Sequence, residues 1–133
     1  MCYMLMEASL HILVNNHNLS KNTNHLIQLK THNIMARYSK IDVLQTSTQV
    51  PVVPIFYLSD IELSKQVVKA CYLGGIRVFE FTNRGDFAHE VFQELNKWVT
   101  KECPDMIMGI GSVIDAGTAS LYLQLGANFV VAP

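Results

Sequence analysis

Compact apolar runs alternate with longer amphipathic stretches beyond residue 50, and this alternation limits the possible folds more than any other feature. An apolar run of about four to eight residues predicts a strand, whereas apolar residues spaced three and four apart predict a helix. Because each strand and helix together take about 20 to 30 residues, successive strands should pair in parallel through right-handed crossovers. The predicted strands cover residues 50–57, 76–82, 106–110 and 128–132.

Capping residues and glycines indicate the ends of the predicted helices. Asp and Ser side chains accept hydrogen bonds from free N–H groups at a helix start, and glycine readily adopts the left-handed backbone at a helix end. One helix carries an apolar stripe that predicts a buried face, formed by Phe87, Val91, Phe92, Leu95 and Trp98. The predicted helices are a short leading helix around 38–44, one from Ser59 or Asp60 to 72–73, one from near Asp86 to before Pro104, and one over 119–125 with Asp115 as its cap.

The length of the chain, 133 residues, restricts the fold to one domain or part of one. A complete eight-fold barrel typically needs about 250 residues. The order of elements predicts an α/β fold, either the first half of a (β/α)8 (TIM) barrel, with about four βα units and a leading helix, or a small doubly wound sheet. Periodicity alone does not choose between them, and Gly109-Ile110-Gly111 lacks the third glycine of a dinucleotide-binding fingerprint.

The first 34 residues differ in composition from the rest of the chain. Asn, His, Thr and Ser dominate residues 15–33, which would bury too little apolar surface to offset the entropy of ordering. We therefore expect residues 1–34 to be a polar extension, Met35 to be the true start, and residues 35–133 to form the domain. The spacing of His17, His25 and His32 matches no metal-ligand pattern, and we expect no metal.

Charge and cysteine content limit the classes of partner. A net charge of −1 with a pI near 6.5 provides no basic surface of the kind that nucleic acid or anionic membranes select. The N-terminal apolar stretch, residues 1–14, is shorter than the roughly 20 residues of a membrane span and has no basic start. The cysteines Cys2, Cys71 and Cys103 form no CxxC pair, so we expect a reducing, cytoplasmic location.

Glu80 is the side chain of the predicted strands that most strongly indicates chemistry. Side chains alternate along a strand, so Glu80 shares a face with Val78 and Thr82, opposite the face that packs on helices. Phe79 and Phe81 occupy that opposite face. Burial raises the pKa of a carboxyl group, which suits it to transfer protons near neutral pH.

Arg84 lies just beyond the same strand, at the end where parallel barrels bind their ligands. Its guanidinium could hold a carboxylate or phosphate by two parallel hydrogen bonds. Alternatively, Glu80 and Arg84 form an internal ion pair that only orients the strand end, and spacing alone favours neither interpretation. Gly109, Gly111 and Ser112, at the end of the next strand, suit either the close approach of a ligand or a plain tight turn.

Four segments resemble a known enzyme family. Val78-Phe79-Glu80-Phe81-Thr82-Asn83-Arg84 resembles the strand-two motif of the 2-keto-3-deoxy-6-phosphogluconate (KDPG) and 4-hydroxy-2-oxoglutarate (KHG) aldolases. Residues 52–55, 109–113 and 126–133 resemble the first, third and fourth strand regions of that family, in the same order. These collinear matches cover residue 35 to the end and favour the barrel over the doubly wound sheet.

The resemblance implies the N-terminal half of a (β/α)8 barrel, truncated after strand four. It also implies class I aldolase ancestry in Entner–Doudoroff carbohydrate metabolism: cleavage of 2-dehydro-3-deoxy-6-phosphogluconate to pyruvate and glyceraldehyde 3-phosphate, and of 4-hydroxy-2-oxoglutarate to pyruvate and glyoxylate. By the same resemblance, no cofactor is needed and the full-length parent is a homotrimer. The implied site residues are Glu80 as the acid/base, Arg84 as the carboxylate ligand, Ser112 where many members have threonine, and Pro133 as part of the pocket wall.

In this family the Schiff-base lysine lies on a later strand, which we do not expect the chain to reach. Lys65, Lys69, Lys97 and Lys101 are predicted on polar helix faces, where an ammonium stays solvated and protonated. We therefore expect the chain alone to be inactive. One alternative is a non-catalytic half-barrel module for binding or assembly. Another, a small doubly wound regulator, would need an acidic cluster at the strand ends, which the sequence lacks.

Overall fold

A computed structural model of the chain describes residues 36–133. Predictions for the preceding residues, including the three histidines and the proposed start at Met35, lie outside this range. No helix in the described range has the length and apolar character to cross a membrane. The described elements are α1 (Lys40–Gln49), β1 (Ile55–Phe56), α2 (Ile61–Leu73), β2 (Val78–Thr82), α3 (Ala88–Glu102), β3 (Ile107–Gly111) and α4 (Ala116–Gln124).

The strands form a parallel sheet in the order β1-β2-β3, which confirms the predicted α/β class and parallel pairing. Ile55 lies beside Glu80, and Glu80 lies beside Gly109. Thr82 lies beside Gly111 at the end of the β2–β3 ladder. Because parallel strands end at the same edge of a sheet, the residues that follow β2 and β3 are brought together.

The first strand is much shorter than predicted. The sequence indicated residues 50–57, but only Ile55 and Phe56 form a strand. Pro51 and Pro54 have no backbone N–H to donate, which restricts pairing to the residues after them. Pro54 still contributes its carbonyl, which accepts a hydrogen bond of 2.9 Å from the Glu80 N–H.

The predicted fourth strand, residues 128–132, is not formed as a strand. Val130 makes an isolated parallel bridge to Ile110 on β3. The Ile110 N–H donates to the Phe129 carbonyl at 3.0 Å, and the Val131 N–H donates to the Ile110 carbonyl at 2.8 Å. Two more hydrogen bonds extend this pairing, from the Asn128 N–H to the Met108 carbonyl at 2.8 Å and from the Val113 N–H to the Val131 carbonyl at 3.5 Å.

Two of the predicted helix caps are confirmed. Asp60 accepts from the Leu63 N–H at 3.0 Å at the start of α2, and Asp115 accepts from the Thr118 N–H at 2.8 Å at the start of α4. The Asp115 cap places the start of α4 at Ala116, three residues before the predicted start. Likewise, α1 continues to Gln49, through the polar residues that were expected to end it.

The third helix begins close to its predicted start near Asp86, but Asp86 does not cap it. Helix α3 begins at Ala88, and its cap position is occupied by Phe87 in a left-handed conformation (φ 57°) without a side-chain cap. Phe87 was predicted on the buried face, yet it is 68% exposed. Phe87 belongs to the turn that precedes α3 and not to the helix itself. Its side chain therefore does not follow the helical spacing that places Phe92 and Leu95 on the buried face.

The core lies between the sheet and helices α2, α3 and α4. Phe79 and Phe81 are fully buried on the helix side of β2, as alternation predicted. Phe56 makes edge-to-face contacts with both rings, and Phe81 contacts Phe92 of α3. The remaining core residues are mainly apolar side chains of these helices and of β3: Val68, Leu95, Val99, Met108, Ile110 and Tyr122.

Candidate active site

Glu80 lies in the middle strand of the sheet and is only 7% exposed. Burial raises the pKa of its carboxyl group, and the positive charge of Arg84 opposes this effect only in part. No described side chain donates a hydrogen bond to the Glu80 carboxylate. A carboxyl group with a raised pKa and unused acceptor positions is suited to exchange protons with a ligand.

Gly111 makes room for that carboxylate. A methyl group added at Gly111 would overlap Oε1 of Glu80, so any larger residue there would displace the acid. The sequence interpretation of Gly111 was a tight turn or the close approach of a ligand. The structure gives a different reason for the glycine: the neighbour that approaches it is Glu80 itself.

Gly109 also has a neighbour that sequence reasoning did not identify. A methyl group added at Gly109 would overlap the ring of Phe129. Phe129 belongs to the segment that runs beside β3, where its carbonyl accepts from the Ile110 N–H. Gly109 therefore leaves space for the partly buried ring of Phe129, and the predicted approach of a ligand to its backbone stays a prediction.

Arg84 contacts Ser112 across the ends of β2 and β3. The Nε–H group of Arg84 donates to the Ser112 hydroxyl oxygen at 3.0 Å. No direct ion pair joins Glu80 to Arg84 among the described residues, in contrast to Lys65, which pairs with Glu62 and Glu94. The charge of Arg84 nevertheless acts on Glu80, which indicates that the two groups are near each other.

This contact leaves donors of both side chains available. Nε is the only nitrogen of the Arg84 side chain with a hydrogen bond among the described residues, so its two amino groups can still donate. The Ser112 oxygen accepts from Arg84, which leaves the hydroxyl proton of Ser112 for an acceptor outside the pair. Arg84 is exposed, so a small anion can reach these donors from solvent.

The turn after β2 is fixed by contacts that sequence reasoning missed. The hydroxyl group of Tyr122, on α4, donates to Oδ1 of Asn83 at 2.8 Å. Burial, together with the nearby Tyr57, raises the pKa of Tyr122 to about 12. The Tyr57 ring lies against Gly85, where an added methyl group would overlap it. Both tyrosines occur in apolar runs, and only the fold shows that they meet this turn.

Pro133 shares a groove with Val113, the residue that follows Ser112. Pro133 is exposed and lines a shallow groove beside the start of α4, whose lining does not include Glu80, Arg84 or Ser112. The other lining residues belong to the loop after β3, to α4 and to the final segment: Val113, Ile114, Asp115, Ala116, Ala119, Val130 and Ala132.

The lysines discussed above lie on helices in the described structure. Lys65 donates to Glu62 at 2.8 Å and to Glu94 at 3.1 Å, and these bonds raise the pKa of its ammonium group. Lys69 donates to the Glu102 carbonyl. Lys65 and Lys69 belong to α2, and Lys97 and Lys101 belong to α3. None of these four lies at a strand end.

Comparison with known proteins identifies relatives of one kind. The family model for KDPG and KHG aldolase matches residues 43–133. The 2-dehydro-3-deoxy-phosphogluconate aldolase of Pseudoalteromonas atlantica is 33% identical over 99 residues, which cover 74% of this chain and 44% of that protein. The KHG/KDPG aldolase of Escherichia coli is 31% identical over 83 residues, or 62% of this chain and 37% of that protein.

Solved structures agree with the sequence matches. The KDPG aldolase of Legionella pneumophila, with pyruvate captured as a covalent carbinolamine intermediate, has 30% identity and a TM-score of 0.56, covering 62% of this chain and 38% of that one. The Zymomonas mobilis KDPG aldolase with 3-phosphoglycerate has 28% identity and a TM-score of 0.59, covering 71% of this chain and 43% of that one. The chain spans less than half the length of the curated relatives it matches.

Proposed function

Because the chain belongs to the KDPG and KHG aldolase family, we propose that it supplies the proton-transfer and carboxylate-binding groups of a class I aldolase. The substrate is 2-dehydro-3-deoxy-6-phosphogluconate, cleaved to pyruvate and glyceraldehyde 3-phosphate. The cleavage of 4-hydroxy-2-oxoglutarate to pyruvate and glyoxylate is proposed as a second activity. The observation that carries the proposal is the buried Glu80 carboxyl group beside the exposed Arg84–Ser112 pair.

The fold part of the proposal is that the sheet is the first part of a (β/α)8 barrel. The order β1-β2-β3, with residues 128–132 beside β3, fits four successive strands of such a barrel. The candidate site lies at the carboxyl ends of these strands, where barrel enzymes bind their substrates. A homotrimeric parent belongs to the same proposal and rests on the family resemblance. A cytoplasmic location is proposed with it, on the ground that the cysteines form no CxxC pair.

Glu80 is the proposed acid/base. Its raised pKa lets it hold a proton nearer to neutral pH than an exposed glutamate does. In cleavage, Glu80 accepts the hydroxyl proton beside the carbon–carbon bond that breaks and returns a proton to the carbon that becomes the methyl group of pyruvate. Gly111 supports this role because it leaves space for the carboxylate at the end of β3.

Arg84 and Ser112 are the proposed ligands of the substrate carboxylate. The two amino groups of Arg84 and the hydroxyl proton of Ser112 can donate to the two carboxylate oxygens. Ser112 keeps its hydroxyl near the guanidinium because Nε of Arg84 already donates to it. Pro133 is proposed as a more distant part of the pocket wall, although its groove is separate from Glu80 and Arg84 in the described structure.

The chain alone is proposed to lack the Schiff-base lysine and to be inactive. The ammonium of Lys65 is held protonated by two carboxylates, and that of Lys69 is bound to a backbone carbonyl. An amine can attack a keto carbon only in its neutral form, which burial or a neighbouring cation would favour. Sodium borohydride reduction with labelled pyruvate should leave no label on the chain. A labelled lysine found by mass spectrometry would overturn this part of the proposal.

Calorimetry with pyruvate tests the carboxylate site separately. Arg84→Ala removes charge-assisted hydrogen bonds worth about 1.5–3 kcal/mol and should weaken binding by about ten- to hundredfold. Arg84→Lys is the matched variant, because it keeps the positive charge and loses the planar guanidinium. Its affinity for pyruvate should lie between those of the wild-type chain and Arg84→Ala. Pyruvate binding that is unchanged in Arg84→Ala would exclude Arg84 as the ligand.

A non-catalytic binding or assembly module is the second candidate. The Arg84–Ser112 contact favours it, since this pair forms without any lysine at the strand ends in the described residues. Pyruvate binding without borohydride trapping is expected both for the module and for the inactive chain of the first proposal. Trapping on the chain alone would contradict the module, and the absence of pyruvate binding would contradict both candidates.

A further inference from the structure

The turn between β2 and α3 sets the direction of Arg84. The Arg84 N–H donates to the Thr82 carbonyl at 3.0 Å, which makes Asn83 the central residue of a three-residue turn. The Asn83 N–H donates to the Gly111 carbonyl at 2.9 Å and so ties the same turn to the end of β3. The backbone angles of Asn83 therefore decide where the Arg84 side chain begins.

The side chain of Asn83 is held by a group from a distant part of the sequence. Tyr122 is 1% exposed, and its ring packs edge-to-face on Phe92, with 5.2 Å between ring centroids. From this fixed position its hydroxyl group donates to Oδ1 of Asn83 at 2.8 Å. Tyr57 packs against Gly85 on the following peptide, so two tyrosines contact the turn around Arg84.

We infer that Tyr122 is a positioning residue, which acts through Asn83 to hold Arg84 in the orientation that pairs it with Ser112. The inference rests on the proposed function, in which Arg84 binds the substrate carboxylate. Arginine loses several rotatable bonds of freedom when it binds an anion. A turn that already directs the side chain toward Ser112 lowers this entropic cost and so tightens binding.

The hydrogen bond between Tyr122 and Asn83 should affect the orientation of Arg84 as well as the stability of the fold. Tyr122 would remain packed on Phe92 without its hydroxyl group, because the ring contacts do not involve the oxygen. Asn83 would lose the bond that connects its side chain to α4. Removal of the hydroxyl should therefore leave the core in place and loosen the turn that carries Arg84.

The Nε–H proton of Arg84 reports on this orientation directly, because it is bonded to Ser112. In Tyr122→Phe, its exchange with solvent, measured by nitrogen-15 NMR, should become about three- to tenfold faster, as expected for the loss of one ordinary hydrogen bond. Tyr38→Phe is the matched control: it removes a tyrosine hydroxyl that donates to the Pro104 carbonyl, outside the turn around Arg84. This variant should leave the Arg84 exchange rate unchanged.

A double-mutant cycle separates the proposed coupling from a general loss of stability. Asn83→Ala removes the acceptor, so it should speed the exchange of Arg84, and adding Tyr122→Phe to it should cause no further increase. Additive effects would mean that Tyr122 acts by another route, and an unchanged exchange rate in Tyr122→Phe would also overturn the inference. If the wild-type chain does not bind pyruvate, the proposed function fails, whereas the exchange experiment still decides the role of Tyr122.

When pyruvate binds to the wild-type chain, its affinity provides a second measurement. Tyr122→Phe should weaken binding by about three- to tenfold, in proportion to the loss of one hydrogen bond that orients Arg84. When Arg84 is already replaced by Ala, Tyr122→Phe should not change the affinity for pyruvate, because the arginine that Tyr122 orients is absent. An equal loss of affinity in both backgrounds would contradict a role through Arg84.

Discussion

Glu80 combines burial with an open carboxylate, and this combination makes its protonation sensitive to the fold. Desolvation raises its pKa, and the charge of Arg84 only partly offsets the effect. The proton is thus bound more tightly in the folded chain than in the unfolded chain. By linkage, the contribution of Glu80 to stability is full below its unfolded pKa and is lost as the pH rises through the folded pKa.

Glu80→Gln should therefore change the pH dependence of stability. The variant removes the cost of burying a carboxylate, so its stability relative to wild type should increase as the pH rises above the unperturbed value of 4.5. Urea denaturation at several pH values on both sides of 4.5, from about 3.5 to 8, measures the difference. A constant difference for Glu80→Gln would contradict the assignment.

Gly111→Ala should destabilise the chain because the new methyl group overlaps the Glu80 carboxylate. Overpacking costs about 1–3 kcal/mol in general, and we expect the low end, about 1 kcal/mol, because the end of the Glu80 side chain can move. Replacing Glu80 with Ala in the same chain should restore most of that loss. Gly74→Ala is the control, because its methyl group would meet backbone atoms at 3.4 Å, an ordinary contact distance. Equal losses in the two glycine variants would show that space for Glu80 is not the reason for Gly111.

The residues of the site were predictable to different degrees. Glu80 and its face follow from strand alternation, which is a local property of the sequence. The pairing of Arg84 with Ser112, and the space that Gly111 leaves, depend on the register between β2 and β3. The Tyr122–Asn83 bond joins residues 39 positions apart, and no local pattern distinguishes such a tyrosine from an ordinary core residue.

At the scale of secondary structure, some helix starts can be predicted from the local sequence, whereas another depends on contacts made by the fold. Asp60 and Asp115 each precede a helix and accept from an N–H three residues later, which is a local arrangement. Asp86 had the same appearance in the sequence, yet α3 begins at Ala88 after a left-handed Phe87. Packing of Tyr57 against Gly85 accompanies this turn and could not be anticipated from residues 83–88 alone.

Asp60→Ala and Asp86→Ala should therefore differ in their effects on stability. The Asp60 side chain caps α2, and loss of such a cap costs about 0.5–2 kcal/mol. Asp86 is exposed and caps no helix in the structure, so Asp86→Ala should change stability by less than about 0.5 kcal/mol. Thermal or urea denaturation of both variants measures the difference. A larger loss in Asp86→Ala than in Asp60→Ala would indicate that α3 begins earlier.

At the scale of the whole described structure, Asn128 joins the leading segment to the sheet. Its Oδ1 atom accepts from the backbone N–H groups of Arg37 and Tyr38 at 3.0 and 3.1 Å. Its Nδ2 group donates to the Met108 carbonyl at 3.1 Å. These bonds connect the approach to α1, strand β3 and the final segment through one amide side chain.

Asn128→Ala should loosen the leading segment without unfolding the core, while the side chains of Arg37 and Tyr38 still donate to the Met106 and Pro104 carbonyls. Hydrogen exchange of the Arg37 and Tyr38 amides should become faster, because each loses its acceptor, and the protection of Phe79 and Ile110 should change little. Asn128→Asp keeps the acceptor but places an oxygen against the Met108 and Gly126 carbonyls, so it should restore the protection of the two amides only in part. Faster exchange of all four amides would mean that Asn128 supports the whole domain instead of this segment.

The contact between Arg84 and Ser112 also bears on the order of folding. These two residues are 28 positions apart, and Glu80, Arg84 and Ser112 all lie within the single β2–α3–β3 unit. Contacts over so short a distance along the chain cost little loop-closure entropy. We therefore expect the space around the Glu80 carboxylate and the contact between Arg84 and Ser112 to form when β2 pairs with β3, before the two ends of the domain pack.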